Sequence, residues 1–173
     1  MWHKIPKDIM DELEELRQYT RRTSNEASIT ICKRPHKDKL YIGSDFEGDN
    51  ESVMVGDCQK ETGKGTRIGD VHSHPIVSDG VGITPSDADI AGNIEESYRQ
   101  KRKQIGCITA NGSDIVHCME PKELPTRQQV KEYGRIPKNP YKINPHVVDN
   151  VAKDMDIVLF DAKSGDKIEN PDP

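Results

Sequence analysis

Val71-His72-Ser73-His74-Pro75, followed by Pro85-Ser86-Asp87-Ala88-Asp89, is the stretch that decides how this chain folds. Residues two apart on a strand leave the backbone on the same side, so His72 and His74 can face one metal ion. Asp89, on the next element, completes a His₂-carboxylate set. Three protein ligands that leave a fourth position for water are the arrangement of a catalytic zinc. Thr84 reads as a helix N-cap, Pro85 as the first helical residue, and Asp87 completes a Thr-x-x-Asp capping pattern. Ser86 and Asp89, three apart, then share one helix face, with the aspartate on the metal and the serine beside it. The competing reading is a helix start that happens to follow two solvated histidines. It leaves Asp89 without a task, because that cap does not need it.

Hydrolysis at such a site needs a base, since a carboxylate near an acidified water can take its proton and pass it to a leaving amine. Glu26 stands out among the 30 acidic residues. It opens Ala27-Ser28-Ile29-Thr30-Ile31-Cys32, an alternating strand whose Ala27, Ile29 and Ile31 face the core. By spacing alone Glu26 reads equally well as a surface glutamate at a helix–strand junction. Glu47, Glu51 and Glu61 compete for the role, nearer in sequence but in expected loops.

Glu26, His72-Ser73-His74-Pro75 and Ser86-Asp87-Ala88-Asp89 together resemble the JAMM (MPN+) metalloprotease signature, over roughly residues 5–120. That resemblance implies one zinc per chain on His72, His74 and Asp89. It implies Glu26 as general acid/base and Ser86 as the hydroxyl that steadies the tetrahedral oxyanion. It also implies a deaminase-like MPN sandwich, an α/β fold with a central mixed, mostly antiparallel sheet flanked by helices. One departure is that fourteen residues separate His74 from Asp89, where the family usually has ten. The extra length, 76–83, reads as a loop able to close over an extended peptide, or as a tolerated insertion packed on the sheet.

Other zinc patterns fit less well. The chain has no His-x-Glu with Pro-Cys-x-x-Cys, as a nucleoside deaminase would need, and no His-Glu-x-x-His helix. Cys32, Cys58, Cys107 and Cys118 form no Cys-x-x-Cys pair, which argues against a zinc ribbon. With no signal-like start, they read as reduced thiols in a cytoplasm. Gly63-Lys64-Gly65-Thr66 lacks phosphate-loop spacing and reads as a hairpin turn. A net charge of −5 opposes nonspecific nucleic-acid binding. No apolar run is long enough to imply a membrane span.

Periodicity supplies the architecture. Ile5, Ile9, Leu13 and Leu16 mark an amphipathic helix over 6–21. Strands are expected at 27–34, 39–43, 52–58 and 67–74, with an acidic loop at 45–51. A helix at 85–101 carries Ile90, Ile94 and Tyr98. Strands 104–110 and 113–119 pair across Asn111-Gly112. Beyond the core at 1–120, an extension over 121–163 holds five prolines in 121–145, a short helix near 125–133, a helical stretch at 145–154 and the apolar strand Ile157-Val158-Leu159-Phe160. The tail 164–173 reads as disordered.

The function expected is a zinc metallopeptidase of isopeptidase, deubiquitinase-like type. Its substrate would be a protein or peptide, such as a lysine conjugate of a ubiquitin-like modifier. The alternatives are a phage-type tail or cell-wall zinc endopeptidase and a non-catalytic MPN scaffold; the intact ligand set with its glutamate opposes the scaffold.

Overall fold

The computed structural model describes residues 5–34, 39–49, 53, 56, 58–60, 63–75, 85–110, 116–134 and 157–168. The chain runs α1 (Lys7–Thr23), β1 (Ala27–Lys33), β2 (Leu40–Glu47), β3 (Gln59–Lys60), β4 (Gly63–Lys64), β5 (Thr66–His74), α2 (Asp87–Gln100), β6 (Ile105–Ala110), β7 (His117–Pro121), α3 (Arg127–Gly134) and β8 (Ile157–Asp161). Six strands form one mixed sheet in the order β2-β1-β5-β6-β7-β8. Only β5 and β6 run parallel among these pairs; the rest are antiparallel. The parallel pair follows from α2, which carries the chain back across the sheet between the two strands, as a parallel connection requires.

Alternation along the strands sends side chains to two cores. Ile9, Leu13 and Leu16 of α1 pack against Ala27, Ile29, Ile31, Val71, Cys107, Cys118 and Phe160. On the other face, Ile90 and Ile94 of α2 and Tyr133 of α3 pack with Met119, Ile157 and Leu159. Neighbours such as Cys118 and Met119 therefore face opposite layers, and β1, β6 and β7 are almost wholly buried. Burying side chains such as Ile9 and Leu13 contributes about 1.5–3 kcal/mol each. Helix α1 ends at Ser24, whose left-handed φ of 59° turns the chain toward β1. Gly69 starts the β5–β6 pairing opposite Ile105, where a Cβ would lie 1.9 Å from the Ile105 carbonyl oxygen. Only glycine lets the two backbones approach there.

Several expectations need correction. Asp45, Phe46 and Glu47 are not loop: they continue β2 and pair with Ile29, Ser28 and Ala27. An edge strand tolerates such polar residues because much of it faces water. Gly63–Lys64 is a short strand paired with Gln59–Lys60 rather than the turn itself. Residues 164–168 are ordered: the chain turns at Gly165 (φ 76°), Lys167 bridges to Phe160, and the Ile168 N–H donates to the Leu159 carbonyl at 2.8 Å. The four cysteines are not thiols but two disulfides, Cys32–Cys58 and Cys107–Cys118. Cys107 and Cys118 are register partners across β6 and β7, a contact that no local Cys-x-x-Cys search can detect. The Asn111-Gly112 turn, the stretch 145–154, the loop 76–83 and most of 52–58 lie outside the described residues. Among the described residues no helix is long and apolar enough to cross a membrane.

Candidate metal centre

Strand β5 sits between β1 and β6, and its last residues carry the centre. His72 pairs with Ser28 on one side and Ile108 on the other, so its backbone is held from both flanks. Ser73 points to the α1 layer, where its hydroxyl meets Thr20 and accepts the Ala27 N–H at 3.0 Å. His72 and His74 consequently point to the α2 layer, as the two-residue period demands.

Helix α2 brings the third donor. Its N-cap is Ser86, not Thr84, which lies outside the described residues. The Ser86 hydroxyl accepts the Asp89 N–H at 3.2 Å and the Asp89 carboxylate accepts the Ser86 N–H at 2.7 Å, a reciprocal capping box. The Ser86 hydroxyl also lies 3.0 Å from Asp89 Oδ2, with geometry for donating to it. Asp89 thus serves the cap as well as the centre, which corrects the expectation that capping did not involve it. Two serine groups hold Oδ2, and the carboxylate meets the histidines.

The three donors converge. Asp89 Oδ1 lies 2.9 Å from His72 Nε2, Asp89 Oδ2 lies 3.3 Å from His74 Nε2, and the two Nε2 atoms are 2.9 Å apart. Zinc bonds of about 2.0–2.1 Å in a tetrahedron put ligand atoms about 3.3 Å from each other. The observed spacings lie close to that edge, and two imidazoles with a carboxylate are donors that zinc takes. The residues present fit the ion. Among the described residues, these three form the group of histidines and acids able to hold a metal.

Glu26 stands at the entrance of β1, its backbone tied to the residues just after β2 through Glu26 N–H to the Asp49 carbonyl (2.6 Å) and Gly48 N–H to its own carbonyl (2.8 Å). Its Oε1 lies 4.0 Å from His74 Nε2. Glu26, His72, His74, Ser86 and Asp89 line one cavity of about 400 Å³, which continues past Asn93, Glu96 and Arg67. The structure therefore brings together all five residues singled out from sequence. The surface-glutamate alternative for Glu26 does not hold, since the residue is 8% exposed.

Burial sets the electrostatics. It raises the Glu26 pKa, against the pull of His72 and His74. It would lower the His72 pKa, but the charge of Asp89 and, behind it, of Asp70 outweighs burial and holds the ring well above its usual value. Burial would likewise raise Asp89, yet His72 and His74 hold it well below the usual carboxylate range. A desolvated carboxylate beside two imidazoles can accept and return a proton, and the three-donor set can hold a divalent cation.

Sequence reasoning missed Arg67 and Asp70, which line the cavity, and Gln104, which lies behind Arg67. Asp70 is two residues before His72, so the same periodicity that paired the histidines could have found it. Gln104 meets Arg67 only through the β5–β6 pairing, and no local pattern signals it. No protein-family model matches this chain, and no curated protein matches it.

Proposed function

We propose that this protein is a zinc-dependent metallopeptidase that hydrolyses a peptide or isopeptide amide, in a domain of the deaminase-like MPN type. The observation that carries the reading is the convergence of His72, His74 and Asp89 beside the buried carboxylate of Glu26 in one cavity. When bound, zinc supplies Lewis acidity that brings a water toward neutral pKa and polarises a scissile carbonyl. Glu26 takes a proton from the attacking water and returns it to the departing amine, a task suited to a carboxylate whose pKa burial has raised. Ser86 holds Asp89 in the resting arrangement. To donate to an oxyanion, its hydroxyl turns away from Oδ2.

The isopeptidase reading, with a lysine conjugate of a ubiquitin-like modifier as substrate and a cytoplasmic setting, rests on the resemblance of the motif. A second reading is a tail or cell-wall endopeptidase, and the two disulfides favour it. Such bonds persist mainly in oxidising surroundings. The test is to incubate the purified chain with lysine-linked modifier conjugates and with wall-derived cross-linked peptides, with and without chelator. Glu26→Gln serves as the control. Chelator-sensitive cleavage that this substitution abolishes is the expected result. If neither substrate class is cut by a chain carrying stoichiometric zinc, the peptidase reading is wrong.

A further inference from the structure

Behind the metal donors lies a buried polar chain. Asp70 Oδ1 accepts from Arg67 Nη2 at 3.1 Å. Arg67 is 4% exposed, and its guanidinium also donates to Gln104 Oε1 at 2.6 Å and to the Gly56 carbonyl at 3.2 Å. Gln104 is itself fully buried and donates from Nε2 to the carbonyls of Arg67 and Arg102, at 3.1 and 3.2 Å. Such a network restrains the Asp70 carboxylate, because moving it would take a carboxylate from a buried guanidinium whose other acidic neighbour, Glu96 Oε1, stands 3.8 Å from Nε.

The second oxygen of Asp70 faces the centre. Oδ2 lies 3.8 Å from His72 Nδ1. That distance makes a charge pair rather than a hydrogen bond, and Nδ1 is a buried polar atom with no hydrogen-bond partner. A stranded buried donor costs about 1–3 kcal/mol. Closing the gap to hydrogen-bond length takes roughly 1 Å of side-chain movement. An imidazole that binds metal through one nitrogen usually donates its other N–H to a carboxylate or carbonyl, which selects the tautomer and aims the ring.

We propose that Asp70, anchored by Arg67 and Gln104, is the positioning residue for His72: its Oδ2 receives the Nδ1–H and so turns Nε2 toward His74 and Asp89. Asp70 is not one of the three converging donors; it acts through the ring. Arg67 and Gln104 hold it in register from the far side, so the aim of His72 depends on the β5–β6 pairing.

The inference rests on the proposed zinc site, and the test reads the ring as well as the ion so that the two can fail separately. The full chain, metal-free and zinc-loaded, is studied by nitrogen-15 NMR of its histidine rings at a pH where the ring is neutral, and by chelator competition for zinc. His72 is expected as the Nδ1–H tautomer with a slowly exchanging proton. Asp70→Ala should lose that protection and weaken zinc binding by about ten- to a hundredfold. Asp70→Asn keeps an acceptor oxygen in place and should recover most of the affinity. An Asp70→Ala chain that binds zinc within about twofold of wild type and keeps the protected proton overturns the proposal. So does an Asp70→Asn variant as weak as the alanine one. If Asp70→Ala does not fold, the wild-type ring decides, and a proton found on Nε2 overturns the proposal. A wild type that shows the protected Nδ1–H but binds no zinc removes the metal reading and leaves the Asp70–His72 contact standing.

Discussion

Ser86→Ala separates the positioning of a metal carboxylate from the chemistry it serves. The substitution deletes the acceptor for the Asp89 N–H, at 3.2 Å, and the hydroxyl 3.0 Å from Asp89 Oδ2. It leaves the residue-86 N–H on Oδ2, at 2.7 Å. Losing a serine N-cap costs about 1 kcal/mol. Losing a hydrogen bond to a charged acceptor costs about 1.5 kcal/mol or more. The two share one hydroxyl and do not add fully, so about 2 kcal/mol is expected. In a chain of 173 residues that lowers Tm by about 4–8 °C. With one of its two anchors gone, Asp89 should hold zinc about tenfold more weakly. The assays are thermal unfolding of the metal-free protein, chelator competition, and kcat at saturating zinc. If Ser86 also steadies an oxyanion, kcat falls by about a hundredfold even when zinc is saturating. A variant with the melting temperature and zinc affinity of wild type would refute the reading of Ser86 as the anchor of Asp89, whatever its kcat.

Glu26→Gln should lower turnover by about 10²–10⁴-fold while zinc stays bound. It should melt no lower than wild type, because the bonds to residues 48 and 49 are made by the backbone; a variant that turns over at the wild-type rate sinks the assignment. Zinc must displace the proton that Asp89 and Asp70 hold on His72, so affinity should climb as pH rises toward the raised His72 pKa, with proton release measurable by calorimetry in two buffers. Affinity that stays flat from about pH 6 to 9 contradicts this. Without metal, the raised His72 pKa stabilises fully below its ordinary value and fades as pH climbs through the raised one. The depressed Asp89 pKa stabilises fully above its ordinary value and fades as pH falls through the lowered one. The pair's contribution to metal-free stability should therefore be greatest between roughly pH 4 and 6.5, and a denaturation series that places it elsewhere refutes the coupling. Reducing Cys32–Cys58 and Cys107–Cys118, which close loops of 26 and 11 residues' separation, should remove about 3 kcal/mol each. Alkylation of four free thiols in the unreduced chain would contradict both bonds.

The grouping of His72, His74 and Asp89 was legible because its determinants are local. Two histidines at strand spacing and an acid in the first turn of the next helix need only periodicities of 2 and 3.6 to be read onto common faces. Choosing between Thr84 and Ser86 as N-cap was beyond that grammar, since either hydroxyl can accept a bond from the third residue after it. The packing of Arg67 against Gln104, and of each cysteine against its partner, depends on which strands become neighbours. The pairing of β5 with β6 is not written in any short window; that of β6 with β7 is announced by Asn111-Gly112, but not the register that sets Cys107 against Cys118. Polar Asp45–Glu47 misled for a related reason: composition reports exposure, and an edge strand is exposed while still hydrogen-bonded along one side.

His72 and His74 belong to a strand that is hydrogen-bonded on both flanks, by β1 and by β6. The spacing of the two backbone positions is consequently a property of the sheet, which needs no ion to form it. In a zinc finger, by contrast, the metal organises the chain. Here the chain offers a ready mould, so ions should exchange in the native state without unfolding it. Cobalt could then take the place of the proposed zinc in the same cradle, giving a coloured reporter of coordination that zinc, with its filled d shell, does not provide.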